Sequence, residues 1–415
     1  MQVKSHIGSL SVLTSLFFIW GFITCLNDIL IPHLKAVFEL NYTQAMLVQL
    51  CFFTAYFLIS IPSGLLIKKM GYKLGIVLGL VVAGVGCALF YPAAASHQYL
   101  LFLFALFVLA SGITLLQVAA NPYVTVLGPP ETASSRLTLT QAFNSLGTAI
   151  APFLGSMWIL VTPVKSSAEI EILTVDDLTA YQAMEAASVQ TPYLMLALVL
   201  WFLSVVFLSL KLPQPTEPNT TNKIKLENSA WEHLSLKLGV LAIFLYVGAE
   251  VAIGSFMVSF LSNKDVAGLS VEDAGQFVSL YWGGAMVGRF IGAWLMQYFR
   301  AGLVLSIHAL LACALVLIAS QSSGEIAKWS LLSVGLFNSI MFPTIFSMAL
   351  QGLGVQSGEG SGYLCSAIVG GALLPVLQGL LADIWGLKLA LMLPAICYAY
   401  IVYYGWRFRG LVQTT

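Results

Sequence analysis

Apolar residues along this chain gather into blocks of roughly twenty or more, the length at which a helix crosses a hydrocarbon core of about 30 Å. The blocks lack the two-residue alternation of a membrane β-strand, so helices must satisfy the backbone internally. The pattern predicts twelve spans, at 8–34, 43–68, 73–93, 98–128, 133–161, 191–210, 233–262, 271–299, 301–320, 326–353, 358–383 and 387–408. The first is too long for a signal-peptide core and carries Asp28 and Pro32, so it reads as retained. The predicted fold class is an all-α polytopic membrane protein of two six-helix halves.

Two polar stretches organise these spans. The stretch 211–232, with Pro213, Pro215, Pro218 and Asn219 to Asn222, divides the chain into an N-terminal half (1–210), a cytoplasmic linker (211–232) and a C-terminal half (233–415). A second insert, 163–190, holds Glu169, Glu171, Asp176, Asp177 and Glu185 and reads as a surface loop, with Asp176 placed to cap a short helix.

Composition agrees with burial in lipid. Hydrophobic residues make up 59% and charged residues 9%, against about 25% charge in a soluble domain. Of the 18 Lys and Arg, thirteen fall on the side that holds both termini and five on the other, which predicts cytoplasmic termini. The balanced charge offers nothing to nucleic acid. The six cysteines lie inside spans without metal-like spacing, the five histidines are scattered, and no P-loop, HExxH or nucleophile elbow occurs. No enzyme, cofactor or metal site is expected.

The candidate chemistry lies in polar groups inside spans. An acid at mid-helix costs about 2.5–3.5 kcal/mol on insertion scales, and such acids mark ion routes by default. Only Asp28 and Glu250 are flanked by apolar sequence well inside a span, and no Lys or Arg is predicted at their depth. Each is suited to take and release a proton, or to hold Na⁺ with hard oxygen ligands. The intramembrane amides Asn27, Gln49, Gln117, Asn121, Gln141, Asn144, Asn338 and Gln378 suit a polyhydroxylated solute in a mostly apolar cavity, and serve equally as helix–helix bonds. Gln141 and Asn144 share a helix face, as do Gln117 and Asn121. Trp282 is among the aromatic residues that could stack on a sugar ring.

These motifs resemble a known group. Phe18-Ile19-Trp20-Gly21-Phe22 leading to Asn27-Asp28-Ile29-Leu30-Ile31-Pro32, then Ala119 to Pro129, and Gln141-Ala142-Phe143-Asn144-Ser145 resemble the fucose-galactose-glucose:proton symporters of the major facilitator superfamily. Asn338 to Ser347 and Ile368 to Pro375 extend the resemblance through the second half. It implies the major facilitator fold, Asp28 as the proton-coupling acid, and Gln141 and Asn144 as sugar contacts. Fucose permeases carry a fourth-span glutamate where this chain has Gln117, and Leu115-Leu116-Gln117 resembles the glucose/galactose branch instead. Lys68 stands where the signature loop between spans two and three usually has Asp, so the usual gating ion pair must differ.

The reading is a hexose carrier of the bacterial inner membrane, glucose or galactose by resemblance, driven by H⁺ through Asp28 and Glu250. The expected sugar ligands are Asn27, Gln117, Asn121, Gln141, Asn144, Asn338, Gln378 and Trp282. Alternatives are Na⁺ coupling, another sugar such as fucose or an amino sugar, and a membrane sensor that transports nothing.

Overall fold

A computed structural model describes residues 8–25, 42–96, 98–158, 172–210 and 229–410. The described residues form α1 (Gly8–Cys25), α2 (Tyr42–Met70), α3 (Tyr72–Ser96), α4 (Tyr99–Val126), α5 (Ala133–Trp158) and α6 (Val175–Ser209). The second group comprises α7 (Leu234–Ser262), α8 (Val271–Leu295), α9 (Ala301–Gln321), α10 (Gly324–Leu350), α11 (Gly354–Trp385) and α12 (Leu387–Arg407). Ten of these passages are long and apolar enough to cross a membrane by composition. The other two, α5 and α8, carry more polar residues, and they pack against each other across the two groups of six.

The loop predicted before the sixth span is corrected. The sixth span itself lies at Gln190–Ser209, as predicted, but the helix that carries it begins at Val175, because Thr174 accepts from the Asp177 amide at 3.3 Å and caps a helix that runs on to Ser209. The second half of the polar insert is thus an extension of α6, and its cap is Thr174 rather than Asp176. Residues 159–171 lie outside the described residues.

Proline explains where two helices bond outward. A helical proline lacks the amide that would bond the carbonyl four residues earlier. Pro343 therefore frees Ser339, and α10 breaks into turn at Ser339-Ile340. Pro122 likewise frees Val118 in α4. Both carbonyls accept side-chain donors from other helices, Ser339 from Arg289 and Val118 from Ser361.

The two groups of six meet along α2 with α11, α5 with α8, α4 with α11, and α5 with α10. Small residues permit the closest approach. A Cβ on Gly64 would stand 2.6 Å from the Gly358 carbonyl oxygen, so α2 and α11 touch backbone to backbone there.

Directional bonds between the groups concentrate toward one end, the end bearing the α2–α3, α4–α5, α8–α9 and α10–α11 connections. Lys68 Nζ pairs with Glu359 Oε2 at 2.9 Å, joining α2 to α11. The hydroxyls of Ser134 and Ser347 lie 2.5 Å apart, Ser135 donates to the Ala293 carbonyl at 2.6 Å, and Ser361 donates to Val118 at 2.8 Å. Glu359 also accepts from Ser229 at 2.9 Å, which ties the segment before α7 to the same point. This end is closed.

Candidate functional site

The predicted amides form two buried clusters, one in each group of helices. In the first, Gln117 and Asn121 lie one turn apart on α4, and α5 brings Gln141 over them. Gln141 Nε2 donates to Asn121 Oδ1 at 3.4 Å. Gln117 Oε1, Asn121 Nδ2 and the hydroxyl of Thr138 are buried without a hydrogen-bond partner. An unpaired buried polar atom costs about 1–3 kcal/mol, so such a group of them is matched to a ligand better than to packing alone. Asn144 behaves differently. Its Nδ2 donates to the Phe17 carbonyl at 2.9 Å, binding α5 to α1.

In the second cluster Glu250 on α7 is half-buried and accepts from the Tyr246 hydroxyl at 2.7 Å. Asn338 on α10 is fully buried. Its Nδ2 donates to the hydroxyls of Tyr281 at 2.7 Å and Tyr398 at 3.2 Å. The Asn338 amide is therefore occupied by the protein, while its Oδ1 and the Oε1 of the equally buried Gln378 have no partner. Trp282 stands edge-on to Tyr281 with ring centroids 5.1 Å apart, and it is 45% exposed. Of the predicted site residues, Asn27 and Asp28 lie outside the described residues.

The expectation that no cation shares the depth of Glu250 is corrected. Arg289 is half-buried on α8, donates from Nε to the Ser339 carbonyl at 3.1 Å, and acts electrostatically on Glu250 without closing an ion pair. Its Nη1 reaches across to α5, to the Gln141 carbonyl at 3.5 Å and to the Ser145 hydroxyl. Arg289 thus stands between the two clusters. Its place in the second half of α8 groups it in sequence with the cations of the nearer membrane face. The test applied to the acids, apolar neighbours on both sides within a span, would have found it in Val287-Gly288-Arg289-Phe290-Ile291.

The departure at the signature loop between α2 and α3 leaves an ion pair in place. With Lys68 in place of an acid, the partner on α11 is the acid Glu359. Among the described residues no group of three or more His, Cys, Asp or Glu is placed to hold a metal ion.

The chain matches the family model described as Major Facilitator Superfamily over residues 12–364. It is 56% identical over 402 residues to the glucose/galactose transporter of Brucella abortus, covering 97% of this chain and 94% of that one. It is 36% identical over 420 residues to the L-fucose-proton symporter of Escherichia coli, covering 100% of this chain and 95% of that one. The solved structure of a Major Facilitator Superfamily transporter, FucP, in the outward conformation superposes with a TM-score of 0.91 at 36% identity, covering 99% of this chain and all of that one. With twelve helical passages among its described residues, two buried amide clusters and matches spanning almost its whole length, this multi-pass membrane chain belongs to the Major Facilitator Superfamily.

Proposed function

We propose that the chain is a secondary active sugar transporter that imports a hexose, glucose or galactose, together with H⁺ by alternating access. It works in the bacterial inner membrane with both termini in the cytoplasm. Residues 1–210 and 233–415 are the two moving halves, and 211–232 is the linker. The observation that carries the reading is the set of buried amide atoms with unmet hydrogen bonds, on helices of both halves, in a chain that is 56% identical to a glucose/galactose transporter.

In this reading Asp28 takes a proton from outside, and the sugar binds between the clusters on Gln117, Asn121 and Gln141, with Gln378 and the Trp282 face completing the site from the other half. Asn144 and Asn338 support it from behind, through α1 and through the two tyrosines. The closed end lies on the side assigned to the cytoplasm, so the conformation described is the outward-facing one. Reorientation with sugar bound but Asp28 ionised is disfavoured, because an ionised acid in a closed, dry site is costly.

The test is uptake of labelled glucose, galactose and fucose into proteoliposomes under a proton gradient and, separately, a Na⁺ gradient. Accumulation of glucose or galactose under the proton gradient is expected. Accumulation under Na⁺ alone would replace the coupling ion, and accumulation of no hexose would remove the substrate class.

A further inference from the structure

Arg289 makes its bonds to neutral oxygens only. Nε takes the Ser339 carbonyl that Pro343 leaves free, and Nη1 takes the Gln141 carbonyl and the Ser145 hydroxyl of α5. A guanidinium has five N–H donors in a rigid fork that matches a carboxylate, yet the nearby Glu250 carboxyl is bonded by Tyr246 instead. The cation holds the α5–α8 junction of the two halves while an acid stands within its field on α7. In this arrangement the guanidinium is committed to α5 and not to Glu250.

We propose that Arg289 is a positioning residue that couples the charge on Glu250 to separation of the halves. With Glu250 protonated, the guanidinium stays on Gln141 and Ser145 and holds α5 against α8. When Glu250 loses its proton, the guanidinium turns to the carboxylate, α5 loses its anchor, and the closed end opens. Proton release and opening toward the same side become one step. The inference rests on the alternating-access reading and deepens it by giving Glu250 a stated role beside Asp28.

The surroundings of Glu250 define what else could respond. Tyr246 lies on its own helix, Tyr281 and Arg289 on α8, and Tyr398 on α12; Asn338 of α10 binds both outer tyrosines. From α11 the residues set against α7 include Leu374, over Gly248, and Gly370, against Phe244. Arg289 is the charged group among these neighbours that also bonds across the halves.

The experiment attaches spin labels at Glu131 and Gln297, exposed positions flanking the closed ends of α5 and α8, in the full chain lacking its six native cysteines. The distance distribution is read in detergent, without sugar, from about pH 5 to about pH 9, a range wide enough for a buried carboxyl to titrate. The separated population is expected to grow about fivefold or more with rising pH. Glu250→Gln should abolish that step and leave the closed population dominant, which excludes Asp28 as its source. Arg289→Gln should abolish the step as well, the double variant should match Arg289→Gln alone, and Arg289→Lys should retain part of it. A step that survives in Arg289→Gln, or one missing from the parent chain, would overturn the proposal. Because no sugar or gradient is used, failed hexose uptake would discard the transport reading and a missing step with intact uptake would discard only this one.

Discussion

Lys68 and Glu359, 291 positions apart in sequence, meet at 2.9 Å and tie the end of α2 to the start of α11. Glu359 is almost fully buried there and is held by Ser229 from its other side, whereas the Lys68 side chain is 32% exposed. Solvent screening limits the pair to about 1 kcal/mol, enough to move a two-state equilibrium about fivefold. Lys68→Ala and Glu359→Gln should each raise the population open at this end, and Lys68→Glu combined with Glu359→Lys should return it toward the parent value. Spin-label distances across the α2–α11 contact check this, and an unchanged population in both single variants would show that the pair does not gate.

The approach of α2 to α11 at Gly64 has less room to adapt than an ion pair. The Cβ of Gly64→Ala would press on a backbone oxygen rather than on a movable side chain. Overpacking of this kind costs about 1–3 kcal/mol, and here the cost falls on the closed state alone. A bulky thiol reagent should then modify Ser361→Cys, a fully buried position, at least several times faster in the Gly64→Ala background. Equal rates would mean that α2 shifts without opening the junction.

For the coupling acid, Asp28→Asn is expected to abolish uphill sugar uptake while leaving exchange of sugar across the proteoliposome membrane. Continued accumulation by this variant would transfer the coupling role away from Asp28. Gln141→Ala should weaken sugar binding by about tenfold, the worth of one lost hydrogen bond of about 1.4 kcal/mol, with no change in ion dependence.

Asn338 calls for a different outcome. Replacing it by leucine removes the bonds made to two buried tyrosine hydroxyls, at about 1–3 kcal/mol each if they stay unpaired. Asn338→Leu should therefore lower the unfolding temperature in detergent, whereas Gln141→Ala should leave it nearly unchanged. A stable Asn338→Leu with lost sugar affinity would place Asn338 in direct contact with substrate.

The helices were legible because lipid imposes a length and a composition on each span, and the ends of α3, α4, α7 and α9 fall within a few residues of the prediction. The start of α6 was not, since polar residues on a helix that projects beyond the apolar layer look the same as a loop. Gln117, Asn121 and Gln141 were recognisable by residue type, and their convergence follows from a four-residue spacing on α4 and the crossing of α5. Arg289 and the role of Asn338 were hidden for a common reason. Both depend on which neighbour a side chain faces, and helical periodicity gives a face without naming what lies opposite it.

The acceptor that Ser361 uses on α4 belongs to the main chain, so any residue placed at position 118 would still offer it. Its availability is written four positions later, in Pro122. Restoring an amide there would draw the Val118 oxygen back into its own helix and withdraw it from the junction, even though Pro122 itself need not touch α11. The closure of this end is thus heritable through a residue remote from the bond it permits, and a substitution that improves the regularity of α4 would make the junction weaker.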